Sequence, residues 1–253
     1  MSGISKQDVL KHASNDEERL FLAKVYDNYC FYEKSGFTKY TSFLSPLEKT
    51  LAERAFKGKD IYFYGGYEGA ERTVMGFSCD GFAEAVSLIE SKGDFSLLSH
   101  RDFLGSLMGL GITRENIGDI VKKDDVCYIY VLSKMADYIS ENLISVGKVY
   151  VDNKILATDE ILMEREFEET KKSVASPRAD AVVATVFNLS RTDSQEAIKR
   201  GLVTLNYRIL DSQDKKINEG DVISLKGKGK AEISEFLDLS KKGRQFILIK
   251  KYK

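Results

Sequence analysis

The chain has 253 residues, 43% hydrophobic and 30% charged, with a formal net charge of −1. That size and balance fit a globular protein with one or two good cores and room for a small third domain. No apolar run approaches the roughly 18 residues of a bilayer span, and the N-terminus Met-Ser-Gly-Ile-Ser-Lys-Gln-Asp lacks the apolar centre of a signal peptide.

The first third reads as helical, then mixed. Asp16–Lys34 carries Leu20, Phe21, Ala23, Val25, Tyr26, Tyr29 and Cys30 close to helical spacing. Ser45-Pro46-Leu47-Glu48 sets an N-cap before a first-turn proline and an acid at the third position, and opens a helix to Lys57, ended by Gly58. Ile61–Tyr64 and Thr73–Ser78 read as strands around the turn-rich Gly65-Gly66-Tyr67-Glu68-Gly69. Asp80 is read as the cap of a helix running to Ser91.

From Gly93 the expected order is strand Phe95–Ser99, helix His100–Leu110, strands Ile117–Val121 and Val126–Val131, helix Lys134–Asn142 and strand Val146–Val151. That is β-α-β-β-α-β, a ferredoxin-like arrangement shared with RNA-recognition-motif domains. Val126–Val131 lacks their aromatic-rich third-strand signature. Tyr128 and Tyr130 share one face, which either stacks on bases or covers the sheet; covering is the favoured reading. Residues 163–177 read as a charged, extended connector closed by Pro177. The expected division is therefore an α+β region at 1–92, a ferredoxin-like domain at 93–162, the connector at 163–177 and a last domain at 178–253.

In that last domain, Arg178–Asn188 is a short helix burying Val182, Val183, Val186 and Phe187. Ser190 caps the next helix with Asp193 three residues on, Ser194, Ala197 and Ile198 face inward, and Gly201 stops it. Arg191, Gln195 and Lys199 fall on one exposed stripe at i, i+4, i+8. Val203 and Leu205 alternate with Thr204 and Asn206 as a strand, and Gly220-Asp221 turns into a second strand, Val222–Lys226. Charge is uneven: residues 176–253 hold 16 Lys+Arg against 10 Asp+Glu, whereas the rest hold 22 against 29. An acidic body with a basic tail points to nucleic acid contacted mainly through the tail. A solvated lysine-rich surface is the bland alternative.

Arg178, Asp180, Ser190-Arg191, the helix to Gly201, Val203, Asn206 and Gly220-Asp221 together resemble the S4 RNA-binding domain over roughly residues 176–230. Ribosomal proteins, tyrosyl-tRNA synthetases and pseudouridine synthases carry that module. The chain departs from the pattern at Ala179 (Leu is usual), Ser194 (Ala is usual) and Tyr207 (Gly is frequent). Arg178, Arg191 and Lys199 each suit charge-assisted bonds to phosphate oxygens, and Ser190, Gln195 and Asn206 complete the candidate surface. Asp180 is expected to orient an arginine across the helix pair rather than touch RNA. Lys226, Lys228 and Lys230 alternate with Gly227 and Gly229, which puts three ammonium groups on one face of an extended segment, for RNA or as a solubilising edge. Arg200 and Arg208 are further candidates.

Upstream, Phe43-Leu44-Ser45-Pro46, Gly65-Gly66-Tyr67-Glu68-Gly69-Ala70-Glu71-Arg72, His100-Arg101-Asp102-Phe103-Leu104-Gly105, Leu110-Gly111-Ile112 and Gly118-Asp119-Ile120 are similar to the YlmH family, nearly end to end. In that family an S4 domain follows an α+β body. The resemblance implies a bacterial protein that binds the large ribosomal subunit carrying stalled peptidyl-tRNA, in ribosome-associated quality control. Its implied partners are rRNA and tRNA.

Other motifs lead elsewhere only superficially. His100-Arg101-Asp102 copies the start of a kinase catalytic loop, but position 107 is Leu where the loop needs Asn. It reads better as a helix start with Asp102 at the positive end. Gly65–Arg72 lacks both the Gly-Lys-Ser/Thr ending and dinucleotide spacing, and reads as a turn whose Arg72 is a candidate phosphate contact. His12 and His100 are the two histidines, and Cys30, Cys79 and Cys127 lie far apart, so neither a metal site nor a disulfide framework is expected. The expectation is a cytoplasmic, monomeric, non-catalytic factor without cofactor or membrane partner. The alternative is an RNA-modifying enzyme, pseudouridine synthase- or methyltransferase-like, that docks substrate through the S4 domain.

Overall fold

The computed structural model describes residues 4–161, 167–239 and 243–252. The chain divides into two compact units, Met1–Glu164 and Arg165–Lys253. The architecture is α+β, with antiparallel sheets in both units.

The first unit opens with helices α1 (Lys6–Leu10), α2 (Asp16–Ser35) and α3 (Pro46–Ala55). Asn15 caps α2 by accepting from the Glu18 N–H at 2.8 Å. Ser45 and Glu48 form the reciprocal capping box that opens α3, with Pro46 in its first turn. These helices bury Val9, Leu22, Val25, Tyr29, Leu51 and Phe56 in one cluster with Met75 and Phe77. Met75 lies on a hairpin of β1 (Tyr62–Tyr64) and β2 (Val74–Gly76).

The helix expected over Asp80–Ser91 is a correction. Only α4 (Phe82–Ala85) is helical, and Asp80 is not its cap: Gly81 is. Residues Val86–Lys92 are strand β3. The run Val86-Ser-Leu-Ile-Glu has no decisive period, and a short apolar run does not separate strand from helix. Pairing decides it, because β3 is central and buried on both faces: Val86 and Leu88 point to one cluster and Ile89 to the other. Phe95–Ser99, expected as a strand, is a turn that buries Phe95 edge-on against Phe103 at 4.9 Å.

The following elements are α5 (His100–Gly109), β4 (Ile117–Lys123), β5 (Val126–Leu132) and α6 (Ala136–Asn142). The last expected strand, Val146–Val151, is instead a tiny hairpin of β6 (Ser145–Val146) and β7 (Val149–Tyr150) around Gly147. The strand that joins the sheet is β8 (Asp152–Leu156). Sheet order is β4-β5-β3-β8, antiparallel throughout, with a bulge in β4 between Ile117 and Ile120. One face packs Ile89, Ile117, Cys127, Ile129 and Val131 against Phe103 and Leu107 of α5 and Ile139 of α6. The other packs Leu88, Tyr130, Leu132 and Leu156 beneath Phe43, Val74 and Phe82.

That second covering settles Tyr130. It is 0% exposed, its ring 4.9 Å from the ring of Tyr67. Gly66, at φ +97°, lies so close that a Cβ there would meet the Tyr130 ring. The chain's own Gly65–Gly69 segment therefore closes over Tyr130, which covers the sheet as favoured and offers no surface to a base.

The second unit contains β9 (Phe167–Val174), α7 (Ala179–Phe187), α8 (Arg191–Lys199), β10 (Val203–Leu205), β11 (Arg208–Ile209), β12 (Val222–Leu225), β13 (Gly229–Leu239) and β14 (Gln245–Tyr252). Its sheet runs β11-β10-β12-β13-β14-β9. Residues 167–174, read as connector, are thus a paired strand with Val174 in the core. Lys172 Nζ donates to Asn188 Oδ1 (2.6 Å) and Thr185 O (2.9 Å), tying β9 to the end of α7. The rest of the connector's first part, residues 163–166, lies outside the described residues.

Helices α7 and α8 bury Val182, Val183, Val186, Phe187, Ala197 and Ile198 against Val203, Ile223, Ile233, Ile247 and Ile249. Gly201 ends α8 at φ +65°, where an added Cβ would find only ordinary contact with Ile209. Changing Gly201→Ala should cost about 1 kcal/mol from the left-handed backbone alone, checked by urea denaturation.

Lys226–Lys230 is also corrected. Lys226, Gly227 and Lys228 form the turn between β12 and β13, with positive φ at Gly227 and Gly229. The alternating glycines serve the turn, so the lysines do not line one face of a strand.

Candidate nucleic-acid interface

The basic residues of the second unit are organised by one acid. Asp180, in the first turn of α7, is 0% exposed. Its carboxylate accepts from Arg178 Nε (3.2 Å) and Nη2 (3.3 Å), Arg191 Nε (3.1 Å), Gln195 Nε2 (2.9 Å) and the Ala181 N–H (2.9 Å). Its main-chain carbonyl accepts from Ser194 Oγ at 2.8 Å. Ser194, a departure from the S4 pattern, therefore joins α8 to α7 by a hydrogen bond. Burial on its own pushes the Asp180 carboxyl up, but the bonds from Arg178, Gln195 and Arg191 outweigh it and hold the group at about 2. Asp180 is ionised across the whole physiological range.

The arginines are anchored at one end and wet at the other. The Arg191 side chain is 60% exposed and that of Arg178 is 41% exposed. Arg178 also pairs with Asp214, a partner that spacing in the sequence does not reveal. Gln195 does not extend the exposed stripe as expected, because its amide nitrogen is turned onto Asp180. Ser190 is a helix cap: its hydroxyl accepts from the Asp193 N–H (3.0 Å) and donates to Asp193 Oδ2 (2.7 Å).

Asn206 is committed within the fold as well. Its Nδ2 donates to Asp221 Oδ1 (2.7 Å) and its Oδ1 accepts from the Val222 N–H (2.9 Å). Together with Tyr207 it makes a two-residue hairpin turn with φ +48° and +66°, the reason Gly is frequent at the second position. Lys230 is half-buried, its ammonium 5.9 Å from the Tyr207 ring.

A second group of cations lies at the far end of α8. Lys199 and Arg200 are exposed, and the Arg200–Glu196 pair (3.7 Å) is loose and solvated. The Lys226 N–H donates to the carbonyl of Leu202 at 3.0 Å, which sets the exposed Lys226 and Lys228 turn beside that helix end. The structure thus gathers Arg178, Arg191 and Gln195 around Asp180, and Lys199, Arg200, Lys226 and Lys228 around Leu202. Ser190 and Asn206 are occupied in holding the frame, and Lys230 stands near the Tyr207 ring.

In the first unit, Ser99 and Asp102 form the capping box of α5, so His100-Arg101-Asp102 is a helix start. Among the described residues no group of three or more His, Cys, Asp or Glu is arranged to hold a metal. None of their helices is long and apolar enough to cross a membrane.

Comparison with known proteins bears on both units. The family described as "Putative RNA-binding domain in YlmH" matches residues 79–160, taking in all of β3, β4, β5 and β8. The ribosome-associated protein quality control protein P2 of Bacillus subtilis (strain 168) is 29% identical over 262 residues, covering 97% of this chain and 99% of that protein. The solved structure of the cell division protein ylmH from Streptococcus pneumoniae aligns with a TM-score of 0.52 at 20% identity. It covers 60% of this chain and 98% of the solved one, a likeness of fold. Residues 79–160 thus match the model of the YlmH RNA-binding domain, within a chain similar over nearly its full length to the Bacillus ribosome-associated quality control protein.

Proposed function

We propose that the chain is a non-catalytic RNA-binding factor that engages structured rRNA and tRNA on the large ribosomal subunit, with stalled peptidyl-tRNA, in ribosome-associated quality control. In this reading the second unit is an S4-type module, and the βαββαβ sheet of the first is ferredoxin-like with its open face sealed. The protein acts as a soluble cytoplasmic monomer. The observation that carries the reading is the Asp180 hub, which takes Arg191 by Nε and leaves most of the side chain in water. A guanidinium held at Nε is aimed before RNA arrives, so less side-chain freedom is lost when its remaining N–H groups meet phosphate. The matched family's description and the relative's name support RNA and the ribosome as the partners.

Crosslinking the protein in cells and sequencing the attached RNA tests the reading. Reads concentrated on particular large-subunit rRNA helices and on tRNA are the expected result. A diffuse scatter over messenger RNA, or no crosslinked RNA, would overturn it. Nucleoside profiling of rRNA and tRNA treated with the protein should show no new modification.

A further inference from the structure

The loop Gly65–Arg72 is tied to the bulge of β4 through Asp119. The buried Asp119 carboxylate accepts from Tyr67 Oη (2.7 Å) and from the N–H groups of Glu71 (2.7 Å) and Arg72 (3.1 Å). This brings the Arg72 side chain onto the carbonyls of the bulge, where it meets Arg114. Arg72 Nε donates to Ile117 O at 3.0 Å, and Arg114 Nη1 donates to the same oxygen at 2.6 Å. Arg72 Nη2 also reaches Phe43 O (2.9 Å) and Arg114 O (3.4 Å), while Arg114 Nη1 reaches Gly118 O (3.1 Å).

Two guanidinium groups sharing one acceptor are necessarily close neighbours. Among the described residues neither is within ion-pair distance of a carboxylate: the acids whose charge reaches them, Asp119, Glu71 and (for Arg72) Glu48, stand farther off. Nη1 of Arg72 and Nε and Nη2 of Arg114 make no hydrogen bond to those residues. Burial and the charge of Arg72 bring Arg114 down to about 10, so both stay cationic at neutral pH. Partial burial, then the charge of Arg114, likewise hold the His100 imidazole below its ordinary value, which places His100 near the pair. Bracing the bulge explains the bonds to carbonyls. It does not explain a juxtaposed like-charge pair with N–H groups left over, which is the arrangement a bound anion relieves.

We propose that Arg72 and Arg114 form a second phosphate-binding site, in the first unit, for a phosphodiester of the RNA that the second unit grips. The proposal rests on the RNA-binding reading above and adds a contact that does not use the sealed sheet face. Arg114 lies inside the matched residues 79–160, and Arg72 is supplied to it by the preceding loop.

The test begins with the unmodified full chain, so no variant has to fold. Titrating inorganic phosphate into protein labelled at arginine Nε, at constant ionic strength, should shift and saturate the Arg72 and Arg114 Nε–H signals, with acetate giving a much smaller response. No saturable response overturns the proposal. An equal response to acetate points to a protein carboxylate as the natural partner and overturns it too. Retention on purified large subunits across a salt series supplies the second reading, with Arg114→Gln shown to be folded by its melting curve. The slope of log affinity against log salt should fall by about one. An unchanged slope beside a phosphate response means an adventitious anion and overturns the proposal. If the unmodified chain fails to bind subunits yet its Nε–H signals still saturate with phosphate, the ribosomal reading fails and the anion site stands.

Discussion

Reversing charge at Arg191 and Lys199 together should lower affinity for large ribosomal subunits by at least tenfold near 150 mM salt. The reason is counterion release: each phosphate neutralised contributes roughly 0.7 to 0.9 to the slope of log affinity against log salt. Losing two contacts should therefore flatten the slope by nearly two and weaken binding most at low salt. Arg191 and Lys199 are both exposed, so their removal leaves the apolar core of α7 and α8 intact, while Asp180 loses one donor and keeps Arg178, Gln195 and the Ala181 N–H. A glutamate at 191 would face Asp180, so the Arg191→Gln, Lys199→Gln pair is the necessary companion. It keeps the polarity and removes the cations without adding repulsion. Retention equal to that of the unmodified chain, for both pairs, would remove the proposed role of α8.

Changing Asp180→Ala should cost about 3 kcal/mol of stability. Removing one partner of a buried ion pair is usually worth about 3–5 kcal/mol, and the lower end applies because Arg178 and Arg191 remain partly solvated. The change also strips the acceptor from Gln195 and the anchor from Arg191, so RNA affinity should fall even where the protein is fully folded. Urea denaturation beside subunit binding separates the two losses. Acid gives an independent check. The folded Asp180 carboxyl sits at about 2 against an ordinary 3.8, so its stabilisation is complete above about pH 4 and is lost as pH falls toward 2. That shift corresponds to about 2 kcal/mol after allowance for the exposed arginines. The gap between the unmodified chain and Asp180→Ala should narrow over that window. A gap independent of pH would mean the carboxylate contributes by packing and not by charge.

Local chemistry made part of the molecule readable in advance. Ser45-Pro46-Leu47-Glu48 and Ser190 with Asp193 specify helix starts within four residues of chain, and Gly201 specifies a stop. The α7–α8 pair followed from such signals, whereas Asp180 as the orienting acid was an expectation attached to the S4 resemblance. Val86–Lys92 did not, because its apolar residues suit a helix face and a doubly buried strand equally well, and only β5 and β8 on either side distinguish them. Residues 167–174 misled for the opposite reason. Their charge looks like a linker's, yet one edge pairs along the whole of β14.

The site divides along the same line. Which residues are cationic, and that cations outnumber acids in the tail, is a property of composition. Which cations keep solvent-facing N–H groups is not, since hydrogen bonds are finite and contested. Asn206 is claimed by Asp221 and Val222, Gln195 by Asp180, while Arg191 gives up only Nε. The meeting of Arg72 with Arg114 at the Ile117 carbonyl is likewise invisible in one dimension. Sequence by itself determined the caps of α3 and α8, the stop at Gly201 and the charge of this protein. Tertiary structure decided the strand partners and the free donors, because both depend on groups far along the chain competing for the same acceptor.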